Sequence, residues 1–169
     1  MKFTAKSGAV LAAVLVATAL AGGGAWWFQG HSAQAVELPP EPDTVFGDQK
    51  AVYHLVDSAG FLNRNVKRWL ANMDNHRNAL GVDHLDLVVV MNGDGLDLLI
   101  AAKNDPAVAS RIDQLKKYGA KFLICRKTLE SRHLDWRKDL YDVRPEDVVV
   151  SGMPTVVALE RQGYAYMRP

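Results

Sequence analysis

Residues 85–91 read LDLVVVM, a nearly unbroken apolar run in which valine predominates. Valine is β-branched and favours extended backbone. A strand that is apolar on both faces, rather than on alternate residues, is usual in a parallel sheet with helices packed on each side. This run therefore predicts a buried strand at the centre of an α/β fold.

Similar short apolar runs occur on both sides of this one. They predict four further strands, at residues 51–56, 122–125, 147–151 and 164–167. Segments with helical periodicity separate them and predict helices at residues 61–80, 106–118 and 154–162, with one or two short helical turns within 130–141. Asp105, immediately before Pro106, is the expected N-cap of the second helix. Such alternation is typical of an α/β fold with a mainly parallel sheet, here of about five strands.

The N-terminus carries an export signal. Lys2 and Lys6 precede an uncharged apolar run over residues 7–28, and an Ala-x-Ala site ends at Ala35. We expect residues 1–35 to be a signal peptide for Sec export to the periplasm, cleaved after Ala35. The alternative is an uncleaved anchor that holds a periplasmic domain at the inner membrane, because the apolar run approaches the length that spans a bilayer.

Closely spaced prolines follow the export signal. Pro39, Pro40 and Pro42 disfavour a helix, so we expect an extended linker over residues 36–48. The α/β domain is then residues 49–169. Its length is sufficient for one hydrophobic core.

Composition excludes several classes of function. Removal of residues 1–35 would take away two lysines and no acids, which leaves 20 − 2 = 18 basic against 19 acidic residues. That balance gives no reason to expect nucleic-acid binding, or membrane binding other than through an uncleaved N-terminus. The spacings of metal ligands, phosphate-binding loops and the nucleophile elbow are missing from the sequence, so we expect neither a metal nor a cofactor.

Cys125 is the single cysteine, which excludes a disulfide within the chain. It ends an apolar run and is followed by Arg126 and Lys127, at a predicted strand end. Cations and a helix start at such a position lower the pKa of a thiol, and the thiolate is the reactive form. The alternative is a small buried side chain that only packs. Arg126 and Lys127 are likewise either electrostatic partners of the sulfur or ordinary solvated residues.

Other candidate site residues follow the neighbouring strands, because ligands of open α/β sheets bind at the carboxyl ends of the strands. His54 is a candidate base for Cys125, or a histidine satisfied by hydrogen bonds within the fold. Asn92, Gly93 and Gly95 form either a ligand cradle or a tight turn.

Four strings in this order resemble the DsrE/DsrF-like family, in particular its exported members. They lie at residues 52–55 (VYHL), 88–99 (VVVMNGDGLDLL), 122–129 (FLICRKTL) and 163–169 (GYAYMRP). The resemblance implies a three-layer α/β sandwich and a homo-oligomer, often a trimer or hexamer. In sulfur-relay members a cysteine carries persulfide sulfur between a donor and an acceptor protein, and Cys125 resembles that position.

Two hypotheses of different class follow. The first is a periplasmic persulfide carrier or sulfurtransferase accessory that binds sulfane sulfur on Cys125, with no enzymatic role beyond sulfur transfer. The second is a non-catalytic homo-oligomeric binding or scaffold module in which Cys125 is structural. A hydrolase or redox enzyme is a weaker third, because no catalytic triad or cofactor motif is visible in the sequence.

Overall fold

The structure is a computed structural model that describes residues 46–169. The predicted signal peptide, and the predicted linker up to residue 45, lie outside the described residues. Phe46, Gly47 and Asp48 are exposed and have no regular secondary structure, and the first strand begins directly after them.

The sheet contains five parallel strands in the order β4-β3-β2-β1-β5. Their bounds are β1 Gln49–Leu55, β2 Leu85–Met91, β3 Lys121–Cys125, β4 Val148–Val149 and β5 Ala165–Met167. The expected α/β fold with a parallel sheet is confirmed. β2 is the central strand, as its apolar run predicts, and pairs Val90 with His54 of β1 and with Leu123 of β3.

Six α-helices connect the strands. They are α1 Arg64–Leu80, α2 Asp97–Asn104, α3 Pro106–Lys117, α4 Arg126–Ser131, α5 Trp136–Asp139 and α6 Gly152–Glu160. Short 3₁₀ turns lie at Phe61–Asn63, Gly93–Leu96 and Pro145–Asp147. The predicted cap is confirmed, because the Asp105 carboxylate accepts hydrogen bonds from the amides of Ala107 and Val108. None of the helices in residues 46–169 is long and apolar enough to cross a membrane.

Two hydrophobic cores make the three layers. The larger lies between one face of the sheet and α1, α2 and α3, around Trp69, Leu99 and Ile112. The smaller lies between the other face and α6, around Val88 and Val156. The α6 face is therefore the more thinly covered side of the sheet.

The structure departs from the predicted elements most clearly at α2 and β4, and α4 begins at Arg126, ahead of the helical turns predicted within residues 130–141. α2 is a helix that the sequence did not indicate, because its residues are mostly apolar and buried and so show no amphipathic stripe. β4 has two residues where five were predicted, because the 3₁₀ turn Pro145–Asp147 precedes it and Val150 is exposed beyond it.

Candidate functional site

Cys125 is the last residue of β3 and immediately precedes α4. Side chains alternate between the faces of a strand, and Leu123, two residues earlier, packs in the smaller core. The Cys125 thiol therefore points to the α6 side of the sheet. The residue is 4% exposed.

Four hydrogen bonds converge on the Cys125 sulfur. The donors are the backbone amides of Gly152, Thr128 and Lys127 and the hydroxyl of Thr128. Burial raises the pKa of the Cys125 thiol, but these four hydrogen bonds stabilise the thiolate and outweigh burial, so that the pKa lies below its ordinary value. We call these four donors the thiol cradle.

The cradle arises from the starts of two helices. Amides in the first turn of a helix have no carbonyl partner within that helix, so they are available to an external acceptor. Lys127 and Thr128 lie in the first turn of α4, and Gly152 is the first residue of α6. The two helices meet at the end of β3, and the sulfur lies between them.

The loop after β2 holds the Thr128 hydroxyl in place. The amide of Gly93 donates a hydrogen bond of 2.9 Å to Thr128 Oγ1. Because this oxygen accepts from Gly93, its own hydrogen is available to the sulfur of Cys125, and the Thr128 hydroxyl contributes to lowering the thiol pKa. Gly93 has a φ of 57°, a left-handed conformation that favours glycine.

Asn92 contacts the other side of the cradle. A Cβ added to Gly152 would lie only 3.1 Å from Asn92 Oδ1, so the Asn92 side chain packs directly against the backbone of Gly152. The backbone amide of Asn92 also donates to the carbonyl of Leu55, which ties the loop after β2 to β1. Asn92 and Gly93 together therefore fix both helix starts around the sulfur.

His54 does not lie against Cys125. Its Nε2 donates to Asn92 Oδ1 at 2.5 Å, and its Nδ1 accepts from the Tyr166 hydroxyl at 3.2 Å. β1 and β3 are separated by β2, which places the two strands about 10 Å apart. The geometry thus gives His54 a structural partner on each nitrogen and does not support its predicted role as the base of a thiol–imidazole pair.

Gly95 has a packing role. A Cβ at this position would lie 2.0 Å from the carbonyl oxygen of Leu55, so only glycine fits beneath β1. The predicted tight turn after β2 is the 3₁₀ turn Gly93–Leu96, in which the amide of Gly95 donates to the carbonyl of Asn92.

Arg126 points away from the sulfur. Its side chain is exposed and lines a surface groove of about 550 Å³ together with Leu129 and Trp136. The ammonium of Lys127 pairs with Glu130 at 2.9 Å. The contacts that lower the thiol pKa are thus uncharged amides and a hydroxyl, and Arg126 and Lys127 match the alternative of ordinary solvated residues.

Thr128 is the site residue that the sequence did not single out, whereas Gly152 follows the fourth predicted strand and was expected to line the crevice at the strand ends. Both lie within three residues of a predicted strand end, which was the available signal. Both reach the sulfur because the starts of α4 and α6 lie next to each other, and the order of the strands in the sheet determines that position.

Among residues 46–169, no three His, Cys, Asp or Glu side chains lie close enough to hold a metal ion.

The arrangement favours the thiolate of Cys125, which is the nucleophilic form of the side chain. A thiolate held by neutral donors keeps its full negative charge, whereas an ion pair would partly neutralise it.

Known proteins resemble this chain in sequence and in structure. The sequence model of the DsrE/DsrF-like family matches residues 50–169. A solved structure described as a protein of unknown function, MTH1491 from Methanobacterium thermoautotrophicum, is 27% identical with a TM-score of 0.58, and the match covers 72% of this chain and 100% of that one. No curated protein matches this chain.

Proposed function

This chain belongs to the DsrE/DsrF-like family, which is associated with sulfur relay, and on that basis we propose that Cys125 accepts sulfane sulfur and passes it on as a persulfide. The observation that carries the proposal is the thiol cradle. Four hydrogen-bond donors on one buried sulfur lower the thiol pKa in spite of burial, as a sulfur nucleophile requires.

The reaction needs neither an oxidant nor a reductant beyond the donor itself. The Cys125 thiolate attacks a sulfane sulfur of a polysulfide or of a persulfide on a donor protein, and a new S–S bond forms at Sγ. The S–S bond of the donor breaks, and its electron pair leaves with the donor thiolate. An acceptor thiolate then attacks the outer sulfur, the bond to Sγ breaks, and the Cys125 thiolate is regenerated.

The proposal includes a place in the cell and an assembly. The N-terminal sequence supports export to the periplasm with cleavage after Ala35, or an anchored periplasmic domain. Family membership supports a homo-oligomer, a trimer or a hexamer. Several exposed apolar side chains on the α6 and β5 side of the sheet give such an assembly a surface to bury: Val150, Met153, Val157 and Tyr166. Sedimentation velocity tests it, and a monomer at micromolar concentration would contradict it.

Burial of Cys125 supports the second candidate function. At 4% exposure the thiol can pack as a small apolar side chain, which is the expectation for a non-catalytic homo-oligomeric binding or scaffold module. The two functions differ in one observable property. A carrier must exchange sulfur while folded, and a structural cysteine need not.

Sulfur loading separates the two functions. The purified, reduced full chain is exposed to inorganic polysulfide under native conditions, and its intact mass is measured before and after addition of a small acceptor thiol. The carrier predicts a gain of one or more sulfur atoms that the acceptor removes. Cys125→Ala is the control for sulfur bound elsewhere. A wild-type chain that gains no sulfur unless it is unfolded would refute the carrier and leave the structural module.

A further inference from the structure

An exposed apolar pair lies in the loop that leads into α1. Phe61 is 83% exposed and Leu62 is 74% exposed, the two highest values among the large hydrophobic residues of the described chain. Single exposed apolar residues are ordinary on protein surfaces, but two adjacent residues with this exposure are unusual.

The loop is held in this position. The amide of Ala59 donates to the Asp97 carboxylate at 3.0 Å, and Asn65 donates to the carbonyls of Ser58 and Ala59 at 2.8 and 2.9 Å. Leu62 itself has a left-handed φ of 51°. The outward direction of Phe61 and Leu62 is thus fixed by hydrogen bonds on both sides of the pair.

Three cations follow the apolar pair on the exposed face of α1. Lys67 and Arg68 follow Arg64 by three and four residues, so both lie next to it on one side of the helix, and all three are exposed. The sequence has no acidic residue from Ser58 to Met73. None of the ion pairs formed within residues 46–169 engages these three cations.

We propose that Phe61, Leu62, Arg64, Lys67 and Arg68 form a docking surface for an anionic phospholipid bilayer. Phe61 and Leu62 insert between the lipids at the level of the headgroups, and the three cations contact lipid phosphates. We call these five residues the lipid-docking surface. It is independent of sulfur transfer, because none of its members is among the groups that donate to the Cys125 sulfur.

Chemistry and size favour a bilayer over another protein. Apolar tips flanked by Lys and Arg are the usual composition of surfaces that bind anionic lipids. Phe61 and Leu62 expose roughly 300 Å² of apolar area between them, whereas each side of a stable protein interface buries about 800 Å². The near-neutral balance of the domain does not argue against the proposal, because the cations are clustered.

A spin label reports directly on contact with the bilayer. The full chain carries Cys125→Ala and a single label, either at Leu62→Cys or at Val82→Cys. Val82 is the control, because it is an exposed apolar residue in the turn after the far end of α1. The relative accessibility of each label to oxygen and to a water-soluble nickel chelate distinguishes lipid from water.

The proposal predicts that the label at position 62 becomes lipid-like on vesicles of phosphatidylglycerol and phosphatidylcholine in equal parts. It stays water-like on phosphatidylcholine alone, and the label at position 82 stays water-like on both. Adding R64Q, K67Q and R68Q returns the label at position 62 to water. The matched change K103Q, K117Q and R161Q removes three exposed cations elsewhere and leaves the label in lipid.

Two results would overturn the proposal. A label at position 62 that stays water-like on anionic vesicles would exclude the bilayer and leave an acidic protein as the occupant. A label that becomes immobilised without vesicles, increasingly with protein concentration, would assign the surface to contact between copies of this chain. Any membrane affinity of residues 1–45 does not decide the outcome, because every variant retains them.

Discussion

Replacement of Thr128 by valine removes one of the four donors that hold the Cys125 thiolate and leaves the three backbone amides in place. A hydrogen bond to a charged group is worth about 1.5–3 kcal/mol, so the thiolate fraction at neutral pH falls about ten- to hundredfold. The remaining thiolate is a better nucleophile because its pKa is higher, and this recovers about half of the loss on a logarithmic scale. We therefore expect alkylation at neutral pH to slow by about three- to tenfold.

The assay is the rate of alkylation by iodoacetamide as a function of pH, followed by intact mass. Cys125 is the single cysteine, so every alkylated molecule reports on it. Thr128→Val shifts the pH profile to higher pH, and Thr128→Ser retains the wild-type profile because it keeps the hydroxyl. Circular dichroism checks that each variant is folded. A valine variant with the wild-type profile, or a serine variant that behaves like valine, would refute the role of this hydroxyl.

Three further predictions test the fold and the site. Gly95→Ala lowers the free energy of unfolding by about 3 kcal/mol, measured by urea denaturation, because its Cβ would lie 2.0 Å from the Leu55 carbonyl oxygen; a loss below about 1 kcal/mol would contradict that packing. Burial and the Asp86 carboxylate raise the pKa of Tyr164 to about 12 from 10.0, so its contribution to stability is complete below pH 10 and is lost as the pH rises from 10 to about 12. As the pH rises through this range, the urea midpoint should therefore fall less in Tyr164→Phe than in the wild type. An equal fall in both proteins would contradict the raised pKa of Tyr164. His54→Gln leaves the alkylation profile of Cys125 unchanged and costs about 1 kcal/mol of stability, whereas a profile moved to higher pH would restore the thiol–imidazole pair.

Strand identity could be predicted from local sequence. The bounds of β2 agree with the prediction at both ends, because its apolar run ends abruptly at Asn92, where the chain turns. Cys125 could be placed at a strand end for the same reason. α2 was not predictable by periodicity, since a helix buried on most sides has no polar stripe.

The partners of the thiol could not be predicted, because they depend on long-range geometry. His54 was a reasonable base only if β1 and β3 were neighbours or flanked a common crevice. The strand order separates them by β2, and both nitrogens of His54 have hydrogen-bond partners other than Cys125. Thr128 and Gly152 reach the sulfur because two helix starts meet at one strand end. Asn92 and Gly93 were predicted as site residues by position, and their contacts with Gly152 and Thr128 depend on how the loop after β2 folds.

The proposed carrier role requires that the folded protein stabilises the Cys125 thiolate and that this thiolate reacts although the residue is buried. The most direct measurement is the alkylation rate of the wild-type chain against pH, in native buffer and in denaturant. The cradle predicts that the native chain reacts, and that its rate reaches half of its maximum at lower pH than in the unfolded chain, because the native thiol pKa is lowered. A thiol that reacts only after unfolding, or at higher pH when native, would contradict that role.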